Sequence, residues 1–121
     1  MNLFQKVDII LNSGQKSDFK IECDALTDED IETFAYLIQK KYKFGKVLGV
    51  PRGGVGIQVA LEKYVTQGND TLLIVDDVLT TGGSMVRFRE NYLTQYENIV
   101  GVVLFARNEC PDWIDSVFKM W

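Results

Sequence analysis

The string Leu72-Leu73-Ile74-Val75-Asp76-Asp77-Val78-Leu79-Thr80-Thr81-Gly82-Gly83-Ser84 constrains this chain more than any other feature. Its apolar opening reads as a strand buried on both faces, the kind found inside a parallel sheet. Two acids close that strand, and a hydroxyl- and glycine-rich loop leads into a helix. Thr80, Thr81 and Ser84 supply hydroxyls, while Gly82 and Gly83 free backbone amides at a helix N-terminus. Amides and helix dipole together favour an anion there, so the loop suits a phosphate monoester. Asp76 and Asp77 beside an anion site call for a polyol or a hydrated Mg²⁺ between acids and anion.

A second loop has the same placement. Lys46–Val50 reads as a short buried strand, and Pro51-Arg52-Gly53-Gly54 follows before a helix over about Val55–Tyr64. Paired glycines let the backbone approach a ligand closely, and Arg52 adds a bidentate cation, which suits a pyrophosphate. A plain strand-to-helix turn with a surface arginine is the other reading of this loop alone. A P-loop is excluded, because Val55 stands where its lysine belongs.

Around these loops the pattern predicts one domain over 1–121. Phe4–Leu11, the turn Asn12-Ser13-Gly14 and Phe19–Cys23 form a hairpin. Thr27 followed by Asp28, Glu29 and Asp30 starts a helix whose apolar face carries Ile31, Phe34, Ala35, Ile38 and Tyr42, with Gly45 closing it. A helix after the glycines presents Met85, Phe88 and Tyr92, and Ile99–Phe105 is a third apolar strand. The tail Ala106–Trp121 shows no clear period. Strands alternating with helices imply an α/β fold: three layers around a central, mainly parallel sheet, with a small hood from the N- and C-terminal segments. Open sheets of this kind bind ligands at the C-terminal ends of their strands, where both loops lie.

Composition narrows the chemistry. The 121 residues carry a net charge of -4, which argues against gripping nucleic acid through its phosphates. There is no histidine, which removes Ser-His-Asp triads, Cys-His pairs and imidazole acid–base chemistry. Cys23 and Cys110 lack metal-ligand spacing and read as two thiols of a cytoplasmic protein. No apolar run reaches the ~18–20 residues needed to span a bilayer, and Met1–Leu11 lacks the pattern of a signal peptide.

The string from Leu72 to Ser84 resembles the binding motif of type I phosphoribosyltransferases, and matches it across the whole loop. The resemblance implies that Thr80, Thr81, Gly82, Gly83 and Ser84 clasp the 5-phosphate of 5-phosphoribosyl-1-pyrophosphate (PRPP). It implies that Asp76 and Asp77 hold the ribose hydroxyls and Mg²⁺, the metal through water. Pro51, Arg52, Gly53 and Gly54 look like the family's pyrophosphate loop, often built on a cis non-proline peptide, here Pro51–Arg52. By the same resemblance Asp76, Asp77 and Arg52 carry catalysis, and a homodimer is implied.

For the acceptor base the resemblance is divided. Ser13-Gly14-Gln15-Lys16-Ser17-Asp18-Phe19 is similar to the base-binding stretch of orotate phosphoribosyltransferases, although Asn12 replaces the usual preceding lysine. Thr80, where 6-oxopurine enzymes usually have an acid, also leans toward orotate. Glu109-Cys110-Pro111-Asp112-Trp113-Ile114 is instead similar to the purine enzymes' hood. Lys16, Phe19, Trp113 and Ile114 are therefore the candidate base-binding residues, with Trp113 either a stacking platform or core filler.

One departure stands out. Active family members usually carry a long flexible loop before the Asp-Asp strand, and here only about Val65–Asp70 is available. Lys16 or Arg107 would have to replace its cations. A non-catalytic module sensing PRPP or a nucleotide is the alternative, and the apolar residues Trp113, Phe118 and Trp121 would then offer a surface to a partner. An unrelated phosphatase has no evident nucleophile or metal cluster to support it.

Overall fold

In the computed structural model, which describes residues 1–10 and 16–120, the apolar strands assemble as their unbroken patterning requires. Strands β3 (Lys46–Gly49), β4 (Thr71–Leu79), β5 (Asn98–Ala106) and β6 (Ile114–Lys119) form one parallel sheet in that order. Helices α1 (Asp28–Lys41) and α2 (Val55–Leu61) cover one face, and α3 (Gly83–Glu90) covers the other. Because both faces are covered, Leu72, Leu73, Ile74 and Val75 are all fully buried. The result is the three-layer α/β architecture with a central parallel sheet that the alternation of strands and helices implies.

Each helix sets its own limits. Thr27 caps α1 by accepting the Asp30 amide at 3.1 Å, and the Asp30 carboxylate accepts the Thr27 amide at 2.9 Å, a reciprocal capping box. The helix buries Phe34, Ala35 and Ile38 and ends at Lys41, before Gly45, because Phe44 leaves the helical path to enter the core. Lys41 and Tyr42 then both donate hydrogen bonds to Asp115 of β6, tying the helix end to the sheet.

A separate two-stranded sheet, β1 (Phe4–Ile10) with β2 (Lys16–Ile21), makes the N-terminal hood. Leu11 and the turn residues through Gln15 lie outside the described residues. Phe4 reaches the main domain edge-on against Phe105, with ring centroids 5.7 Å apart.

Several boundaries depart from the sequence reading, and the helix expected over Val55–Tyr64 ends at Leu61, where a 3-10 turn over Glu62–Tyr64 takes over. Strand β4 continues through Asp76 and Asp77 to Leu79, since its backbone keeps pairing with β5 beyond Val103 whatever the side chains are. Strand β2 starts at Lys16 rather than Phe19. The aperiodic tail contains β6, a fourth parallel strand beside β5. Where β6 begins, a side-chain carbon at Gly101 of β5 would lie 2.8 Å from Trp113, 2.9 Å from Met85 and 3.0 Å from Ile114. Three groups from different elements close on one position, so Gly101→Ala is expected to lower stability by about 1–3 kcal/mol, as overpacked core substitutions do. A thermal melt several degrees below wild type would show it; an unchanged melt would mean that the segment before β6 packs more loosely than described.

Candidate active site

Both loops leave the same end of the sheet. At the first, the Val50 amide donates to the Val75 carbonyl at 2.9 Å, fastening the turn to β4 just before the acids. The Gly54 amide closes the turn on Val50 O at 2.8 Å, and Gln58 Oε1 accepts the Gly49 amide at 2.7 Å. The Pro51–Arg52 peptide is cis. This turn brings Gly53 directly against the Asp77 carboxylate, leaving no room for a side-chain carbon at that position. The glycine is thus needed for a close approach between the two loops.

The pleat of β4 then separates the two acids. Asp76 lines a small cavity of about 50 Å³ that runs along Thr80, Thr81, Gly82, Gly83 and Ser84 at the start of α3. Gly82 takes a φ of +84°, a backbone state that glycine adopts freely, and so turns the strand into the helix. Asp77 points the other way, into a cavity of about 390 Å³ shared with Arg52, Gly53 and Cys23. Asp76 Oδ1 accepts the Asp77 amide at 2.9 Å, and Asp77 Oδ1 accepts the Val78 amide at 2.7 Å. The acid pair therefore has one member facing each cavity.

Burial and, second, the charge of Asp77 push the Asp76 carboxyl up to about 7. Burial also pushes the Cys23 thiol up to about 12, with Asp77 adding to the effect, so Cys23 is a neutral wall of the larger cavity. A larger cavity of about 500 Å³ lies elsewhere, among Phe4, Phe34, Phe105 and Phe118. Its mostly apolar wall makes it unsuited to a phosphate, despite its size.

The sequence candidates for the base divide. Phe19 is half-buried in β2, with the Arg107 guanidinium 3.9 Å from its ring centroid. Lys16 begins β2, and its side chain lies outside the described part of the structure, as do Ser13, Gly14 and Gln15. Trp113 and Ile114 are not brought to the two loops. Ile114 is buried in the core opposite Gly101, and Trp113 packs over Gly101 with Arg89 4.8 Å from its ring. Gly101 is level with Ile74, two residues before Asp76, so this pair fills the sheet beneath α3. Trp113 is partly buried, packed against the core cluster beneath α3.

Four residues near the site escaped the sequence reading. Glu22, Cys23 and Asp24 line the Asp77 cavity, and Asn108 Nδ2 donates to the Thr80 carbonyl at 2.7 Å. Nothing local marks them, since each arrives through the folding of a distant segment. Among the described residues no group of three or more acids or cysteines gathers as a metal cage. The hard carboxylate oxygens of Asp76 and Asp77 suit Mg²⁺ only with waters and ligand oxygens completing its shell.

This α/β domain carries an acid pair between a threonine- and glycine-rich loop at a helix N-terminus and a glycine turn, and solved structures show which fold it has. The chain has the fold of the phosphoribosyltransferases. It superposes on orotate phosphoribosyltransferase from Aeropyrum pernix with a TM-score of 0.81 at 20% identity, covering 98% of this chain and 89% of that one. With Leishmania donovani UMP synthase the TM-score is 0.75 at 18% identity, over 98% of this chain and 34% of that one. The chain thus spans about a third of the length of that synthase. With the Mycobacterium tuberculosis orotate phosphoribosyltransferase in complex with PRPP the TM-score is 0.68 at 15% identity, covering 95% and 88% of the two chains. No protein-family model and no curated protein matches the sequence.

The raised Asp76 carboxyl has a consequence for stability. Its proton is held more tightly folded than unfolded, so its contribution is complete below about pH 4 and is lost as pH rises through about 7. Asp76→Asn should remove that decline and stabilise the ligand-free protein at pH 8 by on the order of 2–4 kcal/mol. Urea melts of both proteins at pH 5 and pH 8 would measure it, and parallel pH profiles would refute it.

Proposed function

We propose that this protein binds PRPP and transfers its phosphoribosyl group to a nucleobase, releasing pyrophosphate. The observation that carries the reading is the split acid pair. Asp76 faces the loop of Thr80 to Ser84, and Asp77 faces Arg52 and Gly53. A ribose bridging the two acids would place its 5-phosphate on one side and its C1 pyrophosphate on the other. The PRPP complex of the M. tuberculosis relative supports the same ligand.

The roles follow from the chemistry. Thr80, Thr81, Ser84 and the amides of Gly82 and Gly83 take the 5-phosphate. Asp76 and Asp77 accept hydrogen bonds from the ribose hydroxyls, while Arg52 and the turn from Pro51 to Gly54 hold the pyrophosphate. The C1–O bond to pyrophosphate breaks as a ring nitrogen of the base forms its bond to C1 from the opposite face. The bonding electrons leave with pyrophosphate. Positive charge that develops on the ribose is stabilised by the two carboxylates, so catalysis is mainly positioning and electrostatics. No histidine is needed. Mg²⁺, when bound through water and ligand oxygens, would neutralise the departing charge. Phe19 and the β2 strand wall the base side, where orotate or another pyrimidine is favoured over a purine. A cytoplasmic homodimer completes the reading.

One observation favours a second reading, a non-catalytic sensor of PRPP or a nucleotide. The segment before β4 is a closed turn, with the Thr66 amide donating to Phe44 O at 2.8 Å and the Asn69 amide to Thr66 O at 3.2 Å. Six residues so folded make no lid over the pyrophosphate, and a lid is what excludes water and completes such sites.

Calorimetry with PRPP, with and without Mg²⁺ and against ATP, tests ligand and metal together. Selective binding that strengthens with Mg²⁺ is expected, and Asp77→Asn should weaken it by about tenfold or more, the loss of a charge-assisted hydrogen bond. Equal affinity of Asp77→Asn and wild type would refute the assignment. Pyrophosphate release with a panel of bases separates enzyme from sensor.

A further inference from the structure

One cation beside the phosphate loop has no part in the chemistry above. Arg87 is exposed on α3, one turn after Gly83 and outside the run from Leu72 to Ser84 that carries the family resemblance. Long helical side chains lean toward the N-terminus of their helix, so position 87 covers the turn that begins at Gly83. A side-chain carbon at Gly83 would lie 3.2 Å from Arg87 Nη1 and 3.6 Å from Thr81 Oγ1, so the guanidinium and the hydroxyl flank the same backbone atom. The Gly83 amide donates to that hydroxyl at 3.4 Å. Among the described residues no acid is paired with Arg87. A cation is stabilised at the C-terminal end of a helix and opposed at the N-terminal end, where the dipole is positive. Arg87 thus lies against the unfavourable pole of α3 with no carboxylate to compensate. An anion between the guanidinium and the loop amides reverses the sign of that interaction.

We infer that Arg87 is a phosphate-binding residue that makes the loop selective for a terminal, doubly charged phosphate monoester. The inference rests on the phosphoribosyl reading and adds a residue to it. The cavity along Thr80 to Ser84 is about 50 Å³, small enough to take a single phosphate group. Inside it, amides and hydroxyls donate to phosphate oxygens whether the group carries one charge or two. Arg87 is not part of that cavity's wall and meets the group from outside, at the oxygens that face solvent. A planar guanidinium donates two parallel hydrogen bonds to a phosphate with two free oxygens on that side. An ester on one of them removes a charge and spoils the fork. Sugars with a free 5-phosphate are therefore accepted, and phosphodiesters are discriminated against. Gly83 contributes by its small size, because a side chain there would crowd the guanidinium.

Ribose, ribose 5-phosphate and the methyl ester of ribose 5-phosphate are titrated into wild type, Arg87→Met and Arg87→Lys at about pH 8, where the free phosphate carries about two charges and the ester one. Wild type is expected to bind ribose 5-phosphate about tenfold or more tighter than the ester, the worth of a charge-assisted contact. Arg87→Met should lose most of that preference by weakening ribose 5-phosphate while leaving the ester nearly unchanged. Arg87→Lys, a point charge without the fork, should keep part of it. Direct contact is read by NMR of arginine-labelled protein. The Arg87 Cζ signal, identified by its absence in Arg87→Lys, should move on adding ribose 5-phosphate and stay in place on adding ribose. A role exerted through the loop backbone would weaken both phosphates alike in Arg87→Met, and that result overturns the inference, as does an unmoved Cζ signal. So does full preference in Arg87→Met, or in Arg87→Lys should the methionine variant fail to fold. Wild type that binds both phosphates equally refutes the selectivity alone, whereas wild type that binds ribose 5-phosphate no better than ribose removes the phosphoribosyl reading beneath it.

Discussion

The pleat of one buried strand governs this structure. Strand β4 lies between β3 and β5 with helices on both sides, so every residue from Leu72 to Val75 must be apolar to occupy it. Acids can enter only at its C-terminal end, where the layers part. There the two-residue period sends consecutive carboxylates to opposite faces, Asp76 toward α3 and Asp77 toward the turn at Gly53. A single strand thereby addresses two cavities, which no pair of acids on a helix surface at adjacent positions would do. The same placement desolvates Asp76 beside Asp77 and raises its affinity for a proton.

The rest of the site is arranged around that strand end. The first loop is fastened to it through the Val50 amide on Val75 O, and the residue following β5 reaches it through the Arg107 amide on Leu79 O. Gly53 has to be a glycine because Asp77 occupies the space of its side chain, and Gly82 turns the chain into α3 at a positive φ. These local requirements all serve a short path between the two glycine-rich turns. What the protein lacks relative to a lidded site is concentrated at one edge, where residues 65–70 fold into a tight turn. The hood hairpin supplies the remaining wall.

Much of this was legible from the residues in order. The run from Leu72 to Ser84 announces its own strand, acids, loop and helix start, because every part of its chemistry depends on spacing within a few residues. Pro51 to Gly54 is similarly local. The capping box at Thr27 and Asp30 needs only a three-residue interval. The extent of β4 and the existence of β6 were not legible, because backbone pairing with β5 carries a strand onward through polar residues and recruits a segment with no period of its own.

Side-chain destinations were the least legible. Trp113 is an aromatic in a hood-like segment, yet Gly101 on a neighbouring strand opens a space beneath α3 that a large ring fills. Arg107 and Phe19 are 88 residues apart, and Asn108 carries no sign that its amide will meet Thr80. The amino-acid order by itself determined the class of fold and the two glycine-rich loops, since these rest on periodicity and on residues adjacent in the chain. Only the tertiary structure decided which face each acid serves, where Trp113 packs and what holds the hood, because those depend on space left by residues far away in sequence.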